Sequence, residues 1–177
     1  TLVSACMTAL LVTANSLTQD RIESLASQAD DASKRAILPA ASTFVELAPP
    51  EGHKDVLSVF EGKDASGKSV GMILVTHSRG YGGLISVMTG FDQDRSILEV
   101  LIVKDDETPG LGKKVREDAF LSAYSGKDAS LVFTVKPDDP TRAHIDSVAG
   151  ATISSRGVTD AVNKACSAYQ SLVGGKN

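Results

Sequence analysis

Four β-like runs punctuated by tight turns constrain the fold of this chain more than any other feature. Val56 to Phe60 reads as a strand, Asp64-Ala65-Ser66-Gly67 as a turn, and Val70 to His77 as the returning strand. Gly80-Tyr81-Gly82-Gly83 breaks the chain before a third run, Leu84 to Thr89, and Ile97 to Val103 makes a fourth. A short helix is expected around Arg116 to Tyr124 and another strand at Leu131 to Val135. The last segment is different in period: Val158, Ala161, Val162, Ala165, Tyr169 and Leu172 recur at helical spacing, and Gly174-Gly175 stops the pattern. The expected class is α+β, an antiparallel sheet flanked by helices, over residues 53–177. Period and turn spacing support that class and leave the strand order open.

The chain opens differently. From Thr1 through Gln19 no residue is charged, and Leu2, Val3, Met7, Leu10, Leu11, Val12 and Leu17 make the stretch apolar. Interspersed Thr and Ser hydroxyls bond back to a helix backbone and are tolerated within it. The expectation is one transmembrane helix over 1–19, its first turns missing, because the apolar stretch falls short of a hydrocarbon core of roughly 30 Å. A signal-peptide core and a buried soluble helix are the competing readings. Ile22, Leu25, Ala26, Ala29, Ala32 and Ala36 continue the helical spacing, so residues 20–48 read as a helical connector. Pro39 ends or kinks it, and Pro49-Pro50-Glu51-Gly52 reads as a linker.

Composition narrows the chemistry. A chain of 177 residues with 42% hydrophobic and 23% charged residues has enough apolar mass for one folded domain. Its net charge of −4, with Lys and Arg scattered, leaves no footprint for nucleic acid. The two cysteines, Cys6 and Cys166, lie at opposite ends, and His53, His77 and His144 are dispersed, so no metal or iron–sulfur ligand set is expected. Any redox chemistry then needs an organic cofactor. A GxGxxG following a strand is also missing, so no nicotinamide site is expected here.

Two short motifs carry chemistry. Asp146-Ser147-Val148-Ala149-Gly150-Ala151-Thr152 places small residues and a hydroxyl at the start of the last helix. Free N–H groups and the positive end of the helix dipole receive a phosphate well there, and Gly150 and Ala151 let it approach. An ordinary N-cap at Thr152, with Ser154 and Ser155 opening the helix, is the competing reading. Upstream, Glu107-Thr108-Pro109-Gly110-Leu111-Gly112 forms a Pro-Gly turn of type II character followed by a bare glycine backbone, which suits main-chain contact with a flat ligand. An ordinary strand-to-helix loop would look the same.

Together the two motifs resemble the FMN-binding domain family. More narrowly they resemble the G subunit of the Rnf ion-translocating electron-transport complex, whose near relative is the C subunit of the sodium-translocating NADH:quinone reductase. The resemblance implies FMN attached by a phosphoester to Thr152, with Asp146 matching the acid that a flavin transferase reads. It implies that Glu107, Thr108, Leu111 and Gly112 lie against the isoalloxazine and ribityl, with Gly150 and Ala151 at the phosphate. Ala149 departs from the family's Ser/Thr at the first position of the motif, which removes a hydrogen bond near the phosphate and leaves the acceptor untouched. The implied protein is a single-pass subunit of a bacterial inner membrane, its soluble domain on the periplasmic or outer side, with other membrane and redox subunits of the complex as partners. The alternatives are the quinone-reductase C subunit and a non-redox, membrane-tethered assembly module.

Four further residues carry expectations. Tyr81, between glycines, reads as a packed core tyrosine more readily than as a stacking surface. Asp105 and Asp106 should face solvent, as charge runs usually do. Arg156 reads as exposed, with pairing to a phosphate as the alternative. Cys166, bordering the apolar helix face, reads as a packed thiol.

Overall fold

The structure is a computed structural model that describes residues 31–110 and 112–174. The chain forms two compact units, Thr1–Ala36 and Ile37–Asn177. Of the first, residues 31–36 are described and are helical, the helix (α1) closing at 37, just before Pro39. The expected membrane-spanning segment lies outside the described residues. Among those described, no helix is long and apolar enough to cross a membrane.

The second unit is α+β. Five strands, β1 (Thr43–Leu47), β2 (Val56–Lys63), β3 (Ser69–Arg79), β4 (Leu84–Phe91) and β5 (Ile97–Asp105), form an antiparallel meander in chain order. The four expected strands are all present, each slightly longer than its apolar run. Asp64 closes the β2–β3 turn by accepting from the N–H groups of Ser66 and Lys68, at 2.8 and 3.0 Å. Strand β1 falls inside 20–48, the stretch that reads as a helical connector. The sheet therefore starts ahead of residue 53, and Pro49-Pro50-Glu51-Gly52 is the loop between β1 and β2.

Strand alternation sends neighbouring residues to opposite faces. Leu74 and Val87 join the larger core with Val59, Val100 and the final helix, while Ile73 and Met88 meet Ile37, Leu38 and Ala41 on the other side. Helix α3 (Thr152–Gly174) lies on the first face through Val158, Ala161, Val162, Ala165 and Tyr169, all buried as the spacing requires. Each large aliphatic side chain so buried contributes roughly 1.5–3 kcal/mol. The Thr76 hydroxyl donates to the Ala161 carbonyl at 2.9 Å, and Tyr169 stacks on Phe91 with ring centroids 4.4 Å apart. A Cβ on Gly157 would lie 2.7 Å from the Arg79 carbonyl oxygen, so this glycine lets the helix backbone rest on the end of β3.

Two expected elements are shorter than their patterns. The helix around Arg116–Tyr124 is broken into a 3-10 turn (Gly112–Arg116), α2 (Asp118–Leu121) and a second 3-10 turn (Ser122–Tyr124). Glu117, at φ −64° and ψ 133°, is extended and interrupts the helical path. Of Leu131 to Val135, only β6 (Phe133–Thr134) is a strand, paired in parallel with β7 (Ala143–His144). Its remaining backbone groups find a side chain instead: Asn163 accepts from the Phe133 N–H at 2.8 Å and donates to the Phe133 carbonyl at 2.9 Å. Helix α3 thus takes the place of another strand.

Candidate functional site

Antiparallel pairing brings the β3–β4 loop and the end of β5 to the same edge, since Arg79 pairs with Leu84 and Ile85 with Asp105. Glu107 then turns inward and is 3% exposed. Its Oε1 accepts from the N–H groups of Tyr81 and Gly82, at 2.8 and 3.3 Å, and its Oε2 accepts from the Ser154 hydroxyl at 2.9 Å. Three segments distant in sequence therefore meet at one carboxylate. Gly80 and Gly112 make room for it, because a Cβ on either would overlap a Glu107 carboxylate oxygen.

The second motif supplies the start of α3. Val148 to Ala151 form a β-turn, closed by the Ala151 N–H on the Val148 carbonyl at 2.9 Å, with Gly150 third at φ +77°, the left-handed conformation that a type II turn requires. Thr152 is the first helical residue and is exposed; it does not stand in the cap position, which falls to Ala151. Alanine has no side-chain acceptor, so the first turn's N–H groups lack the usual capping oxygen from that residue. The buried Ser155 hydroxyl holds the turn from below, accepting from the Val148 N–H at 3.0 Å. The Ser155 carbonyl accepts from Thr159, whose hydroxyl shares a 2.7 Å hydrogen bond with Tyr124.

Between these parts opens a cleft of about 400 Å³, lined by Tyr81, Gly112, Gly150, Ala151, Thr152, Ile153 and Ser154. It joins four of the residues that the sequence motifs single out, Gly112, Gly150, Ala151 and Thr152. Glu107 lies beneath its floor, and Thr108 is exposed, its carbonyl accepting from the Lys113 N–H at 3.4 Å. Leu111 lies outside the described residues. Gly110 takes φ +81°, as the Pro-Gly turn demands. Asp146 stands apart with its side chain 100% exposed, and with Ala149 borders a separate hollow that includes Lys114 and Phe120.

Two expectations are corrected. Tyr81 is no core residue: it is 70% exposed and faces the cleft, because the glycines around it fold the loop backbone onto Glu107 and leave the side chain outside. Asp105 does not face solvent. Its side chain is 2% exposed, and Arg116 holds it through Nη2 at 2.5 Å and Nε at 2.6 Å. Asp106 and Arg156 are exposed as expected. Cys166 is buried, and that burial, helped by Asp128, pushes its thiol up to about 12.

Sequence reasoning missed Ile153 and Ser154 as cleft residues. Ile153 carried a usable signal, an apolar side chain off the buried helix face; it is 52% exposed. Exposed Tyr81 and Ile153 offer apolar surface to a flat ring. Small residues, backbone N–H groups and the Thr152 hydroxyl beside them suit a phosphate. This donor set fits a flavin mononucleotide.

Residues 80–167 match the FMN-binding domain family, a span that contains both motifs. The G subunit of the Na(+)-translocating ferredoxin:NAD(+) oxidoreductase complex of Acetobacterium woodii is 31% identical over 184 residues, covering 96% of this chain and 86% of that protein. The chain belongs to this G-subunit family. Another member, the G subunit of the ion-translocating oxidoreductase complex of Methanosarcina acetivorans, is 30% identical over 167 residues, covering 92% of this chain and 87% of its own. The crystal structure of Shewanella oneidensis NqrC superposes with a TM-score of 0.53 at 24% identity, over 78% of this chain and 72% of that one, a likeness of fold. The resemblance carried by Glu107–Gly112 and Asp146–Thr152 thus holds at the level of the family.

Proposed function

We propose that this G-subunit relative is a membrane-anchored flavoprotein, with FMN esterified to the Thr152 oxygen, relaying electrons within an ion-translocating ferredoxin:NAD(+) oxidoreductase complex. The observation that carries the reading is Thr152 itself: an exposed hydroxyl on the first turn of α3, opening onto a cleft that Tyr81 and Gly112 line from the other side. FMN, when bound, supplies reversible uptake and release of electrons, chemistry that no side chain of this set provides.

The chain's own residues do the holding. Thr152 provides the covalent tether, which removes the dissociation equilibrium that would leave a relay empty. Gly150 and Ala151 keep bulk away from the phosphate, and the helix N-terminus favours its negative charge. Tyr81 and Ile153 cover apolar ring surface and exclude water from it. Asp146, fully exposed six residues before the acceptor, is accessible to a flavin transferase. The anchor assigned to Thr1–Gln19 would tether the unit beside its membrane partners, on the periplasmic or outer side of the bacterial inner membrane.

The test is fluorescence in a denaturing gel after expression with the flavin transferase. The chain should glow and Thr152→Ala should not, while keeping its circular dichroism. Fluorescence that persists in the Thr152→Ala protein would place the flavin elsewhere. A colourless wild-type protein would favour the assembly-module reading.

A further inference from the structure

We infer that Glu107 is the positioning residue of the flavin cleft, fixing the Tyr81 loop and the first turn of α3 in the arrangement that grips the ring, without itself meeting the ring. The inference rests on the proposed flavin reading for what the cleft holds; the positioning itself is a property of the protein alone. Three of the residues lining the cleft, Tyr81, Gly112 and Ser154, meet this one carboxylate. Tyr81 gives its N–H at 2.8 Å and Ser154 its hydroxyl at 2.9 Å, while Gly112 lies so close that a Cβ would overlap Oε2.

The hub is held from behind. The Glu107 N–H donates to Asp105 Oδ1 at 3.1 Å, Asp105 is gripped by Arg116, and Arg116 Nη1 donates to the Ile102 carbonyl of β5 at 2.7 Å. The line from sheet to cleft therefore runs Ile102, Arg116, Asp105, Glu107, Tyr81. A carboxylate in this place is a costly way to fill space, since burying it sacrifices hydration that an apolar side chain never had. What it gains is direction. Two N–H groups and one O–H aim at two oxygens, and charge-assisted hydrogen bonds fix angles that apolar packing leaves loose. The glycine loop that carries the exposed Tyr81 is closed on itself by the Gly80 N–H bond to the Gly83 carbonyl at 2.8 Å, and Glu107 ties that closed loop to the rest of the fold.

The test compares Glu107→Ala and Glu107→Gln with the wild type in the full chain, each loaded by the flavin transferase. Intact mass first reports whether each carries flavin. Glu107→Ala should still be labelled at Thr152, which stands outside the hydrogen-bond network. Its Tyr81 and Gly82 amides should exchange hydrogen about tenfold faster or more. Flavin anisotropy should fall, as the ring loses its fixed neighbour. Glu107→Gln keeps an acceptor for both N–H groups and presents a donor to Ser154 Oγ, so it should recover most of both signals. Should Glu107→Ala fail to fold, Ser154→Ala removes one arm of the hub and should shift the same signals in the same direction. Labelled Glu107→Ala with wild-type exchange and anisotropy overturns the inference. So does a folded Glu107→Ala that is not labelled, because Glu107 would then belong to the acceptor site. Absence of flavin from the wild type instead defeats the flavin reading, and the exchange of Tyr81 and Gly82 still decides whether Glu107 holds the loop.

Discussion

The Ser154 hydroxyl donates to Glu107 Oε2 at 2.9 Å, joining the helix that carries Thr152 to the turn after β5. Glu107 opens one of the two motifs and Ser154 lies two residues past the end of the other, and their contact is buried. The motifs are therefore one structural unit, so changes in one should be felt in the other.

Gly112 illustrates the consequence. Its bare backbone suits a flat ligand in sequence terms, yet the space a side chain would need belongs to the Glu107 carboxylate. Gly112→Ala should destabilise the fold by about 1–3 kcal/mol through overpacking, read as a lower urea midpoint at unchanged slope. The damage should appear in protein without flavin.

Ser155 supports the Val148–Ala151 turn from beneath. Ser155→Ala leaves the Val148 N–H without its 3.0 Å acceptor and should cost roughly 1–3 kcal/mol. Hydrogen exchange should localise the loosening to the Val148–Ala151 turn, with the sheet protected as before.

Cys166 should be inert. With its thiol pushed up to about 12 by burial, the thiolate is scarce at neutral pH and shielded from reagents. In a Cys6→Ser background, native protein at pH 8 should resist alkylation that goes to completion after denaturation.

Lys164 lies 3.0 Å from Asp55 and, by hydrogen bond and charge, holds its carboxyl below the ordinary 3.8. A carboxyl depressed in the folded state contributes stability above its unfolded value, and loses it as pH falls through the folded one. The difference in urea midpoint between wild type and Asp55→Asn should be largest above about pH 5 and should shrink as the pH falls below 3.8 and through the depressed folded value. It should be small throughout, because the pair is exposed.

Much of this fold is written in local pattern. The four long strands follow their apolar runs, and α3 buries the face its spacing defines, because burial over many residues outweighs any one neighbour. Strand β1 escaped notice since three of its five residues are exposed and its pattern carries little alternation. The site was legible where backbone geometry governs, at Gly110, Gly150 and Thr152. It was obscure where long-range partners decide orientation. Nothing near Asp105 announces Arg116 as its clamp, and Tyr81 is exposed only because Glu107, distant in sequence, takes its N–H.

The proposed membrane anchor has a direct test. Full-length protein should stay with membranes through carbonate and high salt, while a chain beginning at Ala36 should be released to the supernatant. Extraction of the full-length chain by salt alone would contradict a bilayer-spanning segment.

The central claim is decided by intact mass spectrometry of the chain expressed with a flavin transferase. The account predicts a mass increase equal to one FMN joined with loss of water, mapped to Thr152 and absent from Thr152→Ala. An unmodified wild-type mass, or the same increase in Thr152→Ala, would contradict it.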